Sequence, residues 1–420
     1  MKGFIVISLL LLPVVFVQAQ QEAILTLEEC YELAKSNYPL IKKRELINRS
    51  KGYSIENAAK AQLPQLNING QATYQSAVTE IPLSMPGVEI PQLTKDQYRI
   101  YGEVNQSIYD GGTIRQEKES IRISAALQEQ SLEVELYKLK ERVNQLFFGV
   151  LMVDEHLMQN QLMEADIKLG LKKVKAAIKN GAALKSEADI LEAERLKVIQ
   201  RGIELVANRK AYMEMLGMFV NTRLDGNVAL EKPTPSITPA TINRPELALY
   251  DFQLQHIAIQ ENFINARNKP KVDFFFQGGY GRPALNILNP GFEAYYIGGV
   301  RLSWNIAGWY TSKKEKAILQ NNRLEVASEK ETFLFNTQHK VRQEQAEIDR
   351  YQQLLRSDDE IIELRSRIKT SSFAQLENGV INTSDYLREL NAEDQARTNK
   401  ILHEIQLLYA QHSNLNTTGN

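Results

Sequence analysis

Residues 132–157 read LEVELYKLKERVNQLFFGVLMVDEHL, with Leu132, Leu136, Leu139, Val143, Leu146, Val150, Val153 and Leu157 at alternating spacings of four and three. That period of about 3.5 residues marks a helix packed lengthwise against other helices in a coiled coil. The register resumes at Ile167, Leu171, Val174 and Ile178, past polar Asn160 and Glu164. Between Thr113 and Asn180 there is no proline, and the only glycines are Gly149 and Gly170. One helix is therefore expected over the whole stretch, roughly 100 Å long at about 1.5 Å per residue. Asn180-Gly181 then signals a reversal, and a returning helix is expected to about Gly217.

The same plan is written a second time. A long helix is expected from Thr311 to Glu377, where Ile348, Tyr351, Leu355 and Ile362 keep the spacing. Asn378-Gly379 repeats the turn, and a returning helix follows from Asp385 to about His412. Asp189-Ile190-Leu191 is echoed by Asp385-Tyr386-Leu387. Leu63-Pro64-Gln65-Leu66-Asn67-Ile68 corresponds to Lys269-Pro270-Lys271-Val272-Asp273-Phe274, and Gly102–Ile108 to Gly298–Trp304. Matches in the same order point to a duplication. The expected division is a first repeat over 20–230, a linker over 231–243 rich in Pro and Thr, a second repeat over 244–413, and a tail over 414–420.

Each repeat also carries two alternating runs. Ile68, Ala72, Tyr74 and Val78 oppose Asn67, Asn69, Gln71 and Thr73, and Ile100, Val104 and Ile108 oppose Arg99, Glu103 and Asn105. In the second repeat Val272, Phe274, Phe276 and Tyr280 oppose Lys271, Asp273 and Gln277, and Tyr296, Val300, Leu302 and Trp304 oppose Arg301, Ser303 and Asn305. Strands are expected at about 66–78, 98–109, 271–281 and 294–306. Their length suits a tilted strand crossing a bilayer, and it equally suits a soluble sheet with one wet face. The long hairpins favour the first reading. Four strands cannot close a barrel and open edges are not tolerated in lipid, so the chain must then oligomerise.

The start of the chain fits export. Lys2 precedes an apolar run from Phe4 to Val17, and Val17-Gln18-Ala19 offers small residues for cleavage near Ala19, so residues 1–19 are expected to be a signal peptide. No later segment is long and apolar enough to cross a bilayer as a helix. Cys30 is the only cysteine, which excludes an intrachain disulfide. With 50 basic and 51 acidic residues well mixed, nothing suggests a nucleic-acid partner. His156, His256, His339, His403 and His412 are scattered without paired ligand spacing. Gly278-Gly279-Tyr280-Gly281 lacks the helix and Lys-Ser/Thr pair of a phosphate loop. No catalytic constellation, cofactor or metal site is expected.

Leu25-Thr26-Leu27-Glu28-Glu29-Cys30-Tyr31-Glu32-Leu33-Ala34, followed by Asn37-Tyr38-Pro39, resembles the N-terminal signature of the TolC family of outer-membrane efflux proteins. Ala59–Leu66 is similar to that family's helix-to-strand passage. Gln106-Ser107-Ile108-Tyr109-Asp110-Gly111-Gly112 resembles its strand-to-helix exit, with Trp304-Asn305-Ile306-Ala307-Gly308 as the second copy. The likeness covers nearly all of the chain after the signal. It implies a homotrimer pooling four strands per chain into one twelve-stranded barrel in outer-membrane lipid. The helices would form a tunnel across the periplasm, with a small mixed domain around its middle. It also implies a passive conduit, not an enzyme, serving a periplasmic adaptor and an inner-membrane pump or secretion transporter in export of small molecules or proteins.

By the same resemblance, the two turns, Gly181-Ala182-Ala183 and Gly379-Val380-Ile381, would meet the adaptor at the periplasmic tip. Asp385 would belong to an acidic ring narrowing the entrance, although Arg388 stands where the family has a further acidic residue. Tyr74, Tyr98, Tyr280, Tyr296 and Trp304 are expected as interfacial girdles, and the loops Thr79–Gln97 and Gly281–Phe292 are expected to face outside. The competing reading is a periplasmic adaptor or structural coiled-coil protein, although adaptors usually carry one hairpin and a compact lipoyl-like domain.

Overall fold

The computed structural model describes residues 24–79, 94–224, 228–234 and 241–420. The expected signal peptide, most of the loop Thr79–Gln97 and part of the linker lie outside the described residues. Along the chain come β1 (Ile24–Leu25), α1 (Leu27–Asn37), a 3-10 turn (Pro39–Ile41), α2 (Lys42–Lys60), β2 (Gln65–Tyr74) and β3 (Asp96–Tyr109). Then follow α3 (Thr113–Tyr137), α4 (Leu139–Lys179), α5 (Lys185–Val220) and β4 (Ala229–Leu230). The second half holds α6 (Pro245–Arg267), β5 (Lys271–Arg282), β6 (Glu293–Ser303), α7 (Gly308–Glu377) and α8 (Thr383–Thr418). Contacts divide the chain into two compact units.

The first unit comprises the chain up to Asn37, Glu141–Ser236 and Glu347–His412. Its α1 starts on a reciprocal cap: the Thr26 N–H donates to Glu29 Oε2 (2.9 Å) and the Glu29 N–H to Thr26 Oγ1 (3.2 Å). One face of that helix, Leu27, Cys30 and Ala34, is buried with Val143 and Phe147 of α4, Leu216 and Val220 of α5, and Ile405 and Leu408 of α8. A second cluster joins Ile167 and Val174 of α4, Leu191 of α5, Leu376 of α7 and Leu390 of α8. Val143, Val150, Val153, Ile167, Leu171 and Val174 from the heptad run are all buried, as that spacing requires. Phe147, Phe148 and Met163, off the strict heptad, are buried too, because α4 packs against more than one neighbour.

Charges cross between the helices of this unit. Lys369 lies between Asp166 (2.9 Å) and Glu393 (3.4 Å), and Asp394 accepts from Gln159 (3.0 Å) and Arg201 (3.1 Å). Such half-buried pairs add little net stability, but breaking one leaves the buried carboxylate of Glu393 or Asp394 short of a partner. They therefore fix which helix faces which.

The second unit comprises Tyr38–Lys140, Ile237–Ala346 and Ser413–Asn420. In it α3 packs against α2 and α6. The single helix expected from Thr113 to Asn180 is interrupted at Lys138, which keeps right-handed dihedrals (φ −62°, ψ −17°). There the Tyr137 hydroxyl donates to the Asn416 carbonyl (2.7 Å) and the Arg244 guanidinium sits 4.7 Å from the Tyr137 ring. The end of α8 also belongs to this unit. Where a tail was expected, Ser413, Asn414 and Thr417 donate to the buried Glu344 carboxylate at 3.0, 3.2 and 2.9 Å, and the helix continues to Thr418. A polar sequence is held inside by these bonds to one carboxylate, although Asn414 Oδ1 and Asn416 Nδ2 are buried without a hydrogen bond.

The four long strands form one antiparallel sheet in the order β2-β3-β5-β6. Its register sets Ile68 against Gly102, Ile100 against Tyr280, Phe276 against Val104, and Phe274 against Val300. The apolar sets of all four strands thus share one face, while Asn69, Gln71, Arg99, Glu103 and Asp273 share the other. Among the described residues most of the apolar face is uncovered: Ile68 is 77% exposed, Tyr74 78%, Val300 65% and Leu302 69%. The first strand ends at Tyr74, short of the expected Val78. Among the described residues β2 pairs only with β3 and β6 only with β5, so both edges are open.

Leu390, fully buried in the second cluster, is expected to cost about 2–5 kcal/mol on substitution by alanine. Leu184→Ala, at a position 70% exposed, is expected to cost under about 0.5 kcal/mol. Thermal unfolding of the purified variants checks the contrast; equal losses would place Leu390 outside the core.

Candidate functional site: the paired helical turns

Both long outgoing helices end in the same hydrogen-bonded turn. After α4 the Gly181 N–H bonds the Ile178 carbonyl (3.0 Å) and the Ala182 N–H the Ala177 carbonyl (2.9 Å). After α7 the Gly379 N–H bonds Leu376 (3.1 Å) and the Val380 N–H bonds Gln375 (2.9 Å). These are Schellman caps, which need a left-handed residue at their centre. Gly181 (φ 72°) and Gly379 (φ 68°) supply it without a Cβ penalty. Each returning helix starts four residues beyond its glycine, at Lys185 and Thr383, and each is 36 residues long.

This places the two repeats in a different register from the one read at Asp189 and Asp385. Measured from the turns and the helix starts, the counterpart of Asp385 is Glu187, the acidic residue in the first turn of α5. Asp189, two residues later, is exposed and is not its equivalent. The short Asp-x-Leu match misled because it carries no information on the helix start.

The structure brings the turns together. Ala182 and Ala183 line one groove of about 590 Å³ with Gly379, Val380 and Ile381, and Glu187 lies in its wall. Gly181 serves the turn and does not line the groove. Across it, the fully buried Thr383 donates its hydroxyl to Glu187 Oε2 (3.1 Å), and Lys173 pairs with Glu377 (2.6 Å). Sequence reasoning passed over Thr383 and Glu187. Their signal was present as a Thr and a Glu in the first turns of paired helices. Val380 and Leu184 each remain 70% exposed, one apolar side chain in each turn.

Asp385 lies apart from this groove, in a shallow cleft with Ile381, Arg388 and Glu389. Its N–H is capped by Asn382 Oδ1 (2.9 Å), and its carboxylate meets Arg388 Nη1 at 3.3 Å. Arg388 also reaches Glu389 (3.1 Å), which pairs with Arg365 (3.4 Å). The carboxylate is therefore one member of a charge chain, not an isolated anion.

Among the described residues, no group of His, Cys, Asp and Glu is arranged to hold a metal ion. His403 Nδ1 sits 2.6 Å from Asp358 as a helix-to-helix contact. Burial pushes the Cys30 thiol up to about 12, helped by Glu29 and Glu28, so it stays protonated and inert. No described helix is long and apolar enough to cross a membrane.

These features define a duplicated helical-hairpin protein bearing a four-stranded antiparallel sheet. Solved structures share that arrangement over nearly the whole chain. The outer membrane protein VceC from Vibrio cholerae is similar with a TM-score of 0.66 and 11% identity, over 94% of this chain and 96% of that one. The CmeC outer membrane channel of Campylobacter jejuni gives 0.63 and 13%, over 94% and 85%. The open-state MtrE outer membrane channel of Neisseria gonorrhoeae gives 0.65 and 13%, over 93% and 88%. The fold is thus that of TolC-family outer-membrane channels. No protein-family model matches the sequence, and no curated protein matches it.

Burial, first, holds the His412 imidazole below its ordinary value, against smaller opposing effects of Glu28 and Thr234. Below pH about 6.5 the unfolded chain takes up a proton that the folded site resists, so stability falls as pH drops through that value. His412→Gln is expected to flatten the loss between pH 7 and 5. Unfolding midpoints measured across that range check it, and an unchanged slope would remove His412 as a source.

Proposed function

We propose that this chain is one subunit of an export channel spanning the outer membrane and extending into the periplasm. The observation that carries the reading is the sheet: one face predominantly apolar and largely uncovered, the other mostly polar, and both edges unpaired among the described residues. In water, so large an exposed apolar face is a liability. In a bilayer it is the surface that lipid covers, while the edges must find partners because lipid offers no hydrogen bonds. Three copies pool twelve strands into one closed barrel with a polar interior. Tyr74, Tyr98 and Tyr280 lie toward one end of the apolar face and Trp304 at the other, as interfacial girdles would.

On this reading the helical hairpins continue the conduit across the periplasm. The paired turns, with Ala182, Ala183, Val380 and Ile381 in one groove, dock a periplasmic adaptor that links the channel to an inner-membrane pump or secretion transporter. The channel is passive and no enzyme: cargo, small molecules or proteins, is driven by the inner-membrane partner. Asp385 contributes to the periplasmic entrance together with Arg388. The adaptor alternative is disfavoured by two hairpins and a four-stranded sheet in one chain.

Protein extracted by detergent from washed outer membranes is expected to have the native mass of three chains. A monomer released by salt alone would sink the channel reading.

Gly379→Trp is expected to block export and co-purification of the adaptor while leaving the trimer intact. Asp385→Asn is expected to weaken cation preference in single-channel recordings. Export untouched by the first change would exclude the turn as a docking point, and unaltered selectivity would exclude the carboxylate from the entrance.

A further inference from the structure

The connection between β5 and β6 does not have the composition of a water-exposed loop. Residues 283–292 read Pro-Ala-Leu-Asn-Ile-Leu-Asn-Pro-Gly-Phe and contain no charged side chain. Leu285 is 59% exposed, Ile287 52%, Leu288 52% and Phe292 46%. The two polar side chains are turned onto the loop itself. Asn286 Oδ1 accepts from the Leu288 N–H (3.1 Å), and Asn289 Oδ1 accepts from the Gly291 N–H (2.9 Å). Asn289 Nδ2 donates to Glu293 (2.5 Å), and the Asn289 N–H bonds the Asn286 carbonyl (3.2 Å). Both asparagine side chains are thus engaged by the loop or its flank, while the large apolar side chains are exposed.

The loop also folds onto a particular side of the sheet. Phe292 stacks on Tyr280 (5.7 Å between ring centres) and on Tyr98 (6.3 Å), both members of the apolar face. The Arg282 guanidinium packs 5.3 Å from the Tyr98 ring and 5.1 Å from Phe292, and it pairs with Asp96. The apolar surface therefore continues without a break from the strands through Phe292 into the loop, with a neutralised charge pair at the junction.

We infer that this loop lies in the outer leaflet as an interfacial anchor, with Leu285, Ile287 and Leu288 against lipid rather than in external water. The inference rests on the membrane reading of the sheet. Two features select lipid as the occupant: continuity with the lipid-facing surface and the absence of any charged side chain to desolvate in residues 283–292. An aromatic and Arg-bearing junction is suited to the headgroup level, where amphipathic side chains place one end in each phase. A second copy of the chain is the competing occupant, and its signature differs.

Nitroxide labels at Leu288→Cys and at Ile68→Cys, each in a Cys30→Ala background, report their surroundings in the full-length channel. The channel is reconstituted in phosphatidylcholine–phosphatidylglycerol nanodiscs. Ile68 serves as the reference on the sheet face. The expected result is faster relaxation by oxygen than by a water-soluble nickel chelate at both sites. Nickel access at 288 with oxygen preference at 68 would overturn the anchor and leave the channel standing. Nickel access at both would remove the membrane reading itself. Poor access of both reagents at 288 would mean a protein cover, the second copy, and would equally overturn lipid contact. Leu285→Cys gives the same readout should labelling at 288 prevent assembly.

Discussion

A strand at the edge of a sheet carries a row of N–H and C=O groups that must bond to something. Here, among the described residues, two such rows along β2 and β6 border a sheet whose one face is predominantly apolar and largely uncovered. Water satisfies the edges but not the face; lipid satisfies the face but not the edges. No arrangement of a single chain resolves both. Closure with further copies does, and on the proposed reading it accounts for a membrane channel that has no bilayer-length helix among its described residues. On that reading the long hairpins supply the conduit and the reach to partners that the sheet alone would lack.

Duplication meets this demand with little new invention. From each turn glycine the distance to the returning helix and the length of that helix are preserved, and so is the Schellman bonding at the turn. What diverged is side-chain chemistry. Residues 167–186 around the first turn hold six lysines and no acid, while 365–384 around the second mix Arg365, Arg367, Lys369 and Glu377. Backbone hydrogen bonds constrain the geometry of a reversal, whereas solvent-facing side chains do not, so the turn persists while its charge drifts.

That distinction explains what the sequence revealed and what it hid. Heptad spacing located the core of α4 and strict alternation identified the faces of all four strands, because each rests on a local periodicity. The turns were legible because their signal is local too. The interruption at Lys138 was not, since Tyr137 answers to Asn416 and Arg244, far away in sequence. Nor was the end of α8: polar Ser413, Asn414 and Thr417 read as solvent-exposed until Glu344 is placed beside them. The groove between the turns was half legible. Its apolar members stand next to the glycines, but Glu187 and Thr383 acquire meaning only when the two hairpins are set side by side.

The same reasoning changes how the charge near the second turn should be understood. Read alone, Asp385 is a bare carboxylate and Arg388 a departure that spoils a ring of acids. In space, Arg388 bridges Asp385 and Glu389, and Arg365 holds Glu389 from α7. Two carboxylates and two guanidiniums in contact nearly cancel at a distance, and exposed pairs of this kind are weak and screened by salt. Their effect on a passing ion therefore depends on whether the pairs stay closed. A fixed acidic ring attracts cations whatever the helices do. Asp385, Arg388 and Glu389 all lie on α8, so only the pair of Glu389 with Arg365 of α7 responds to a shift between the two helices, and on the proposed reading that pair alone ties entrance charge to helix position.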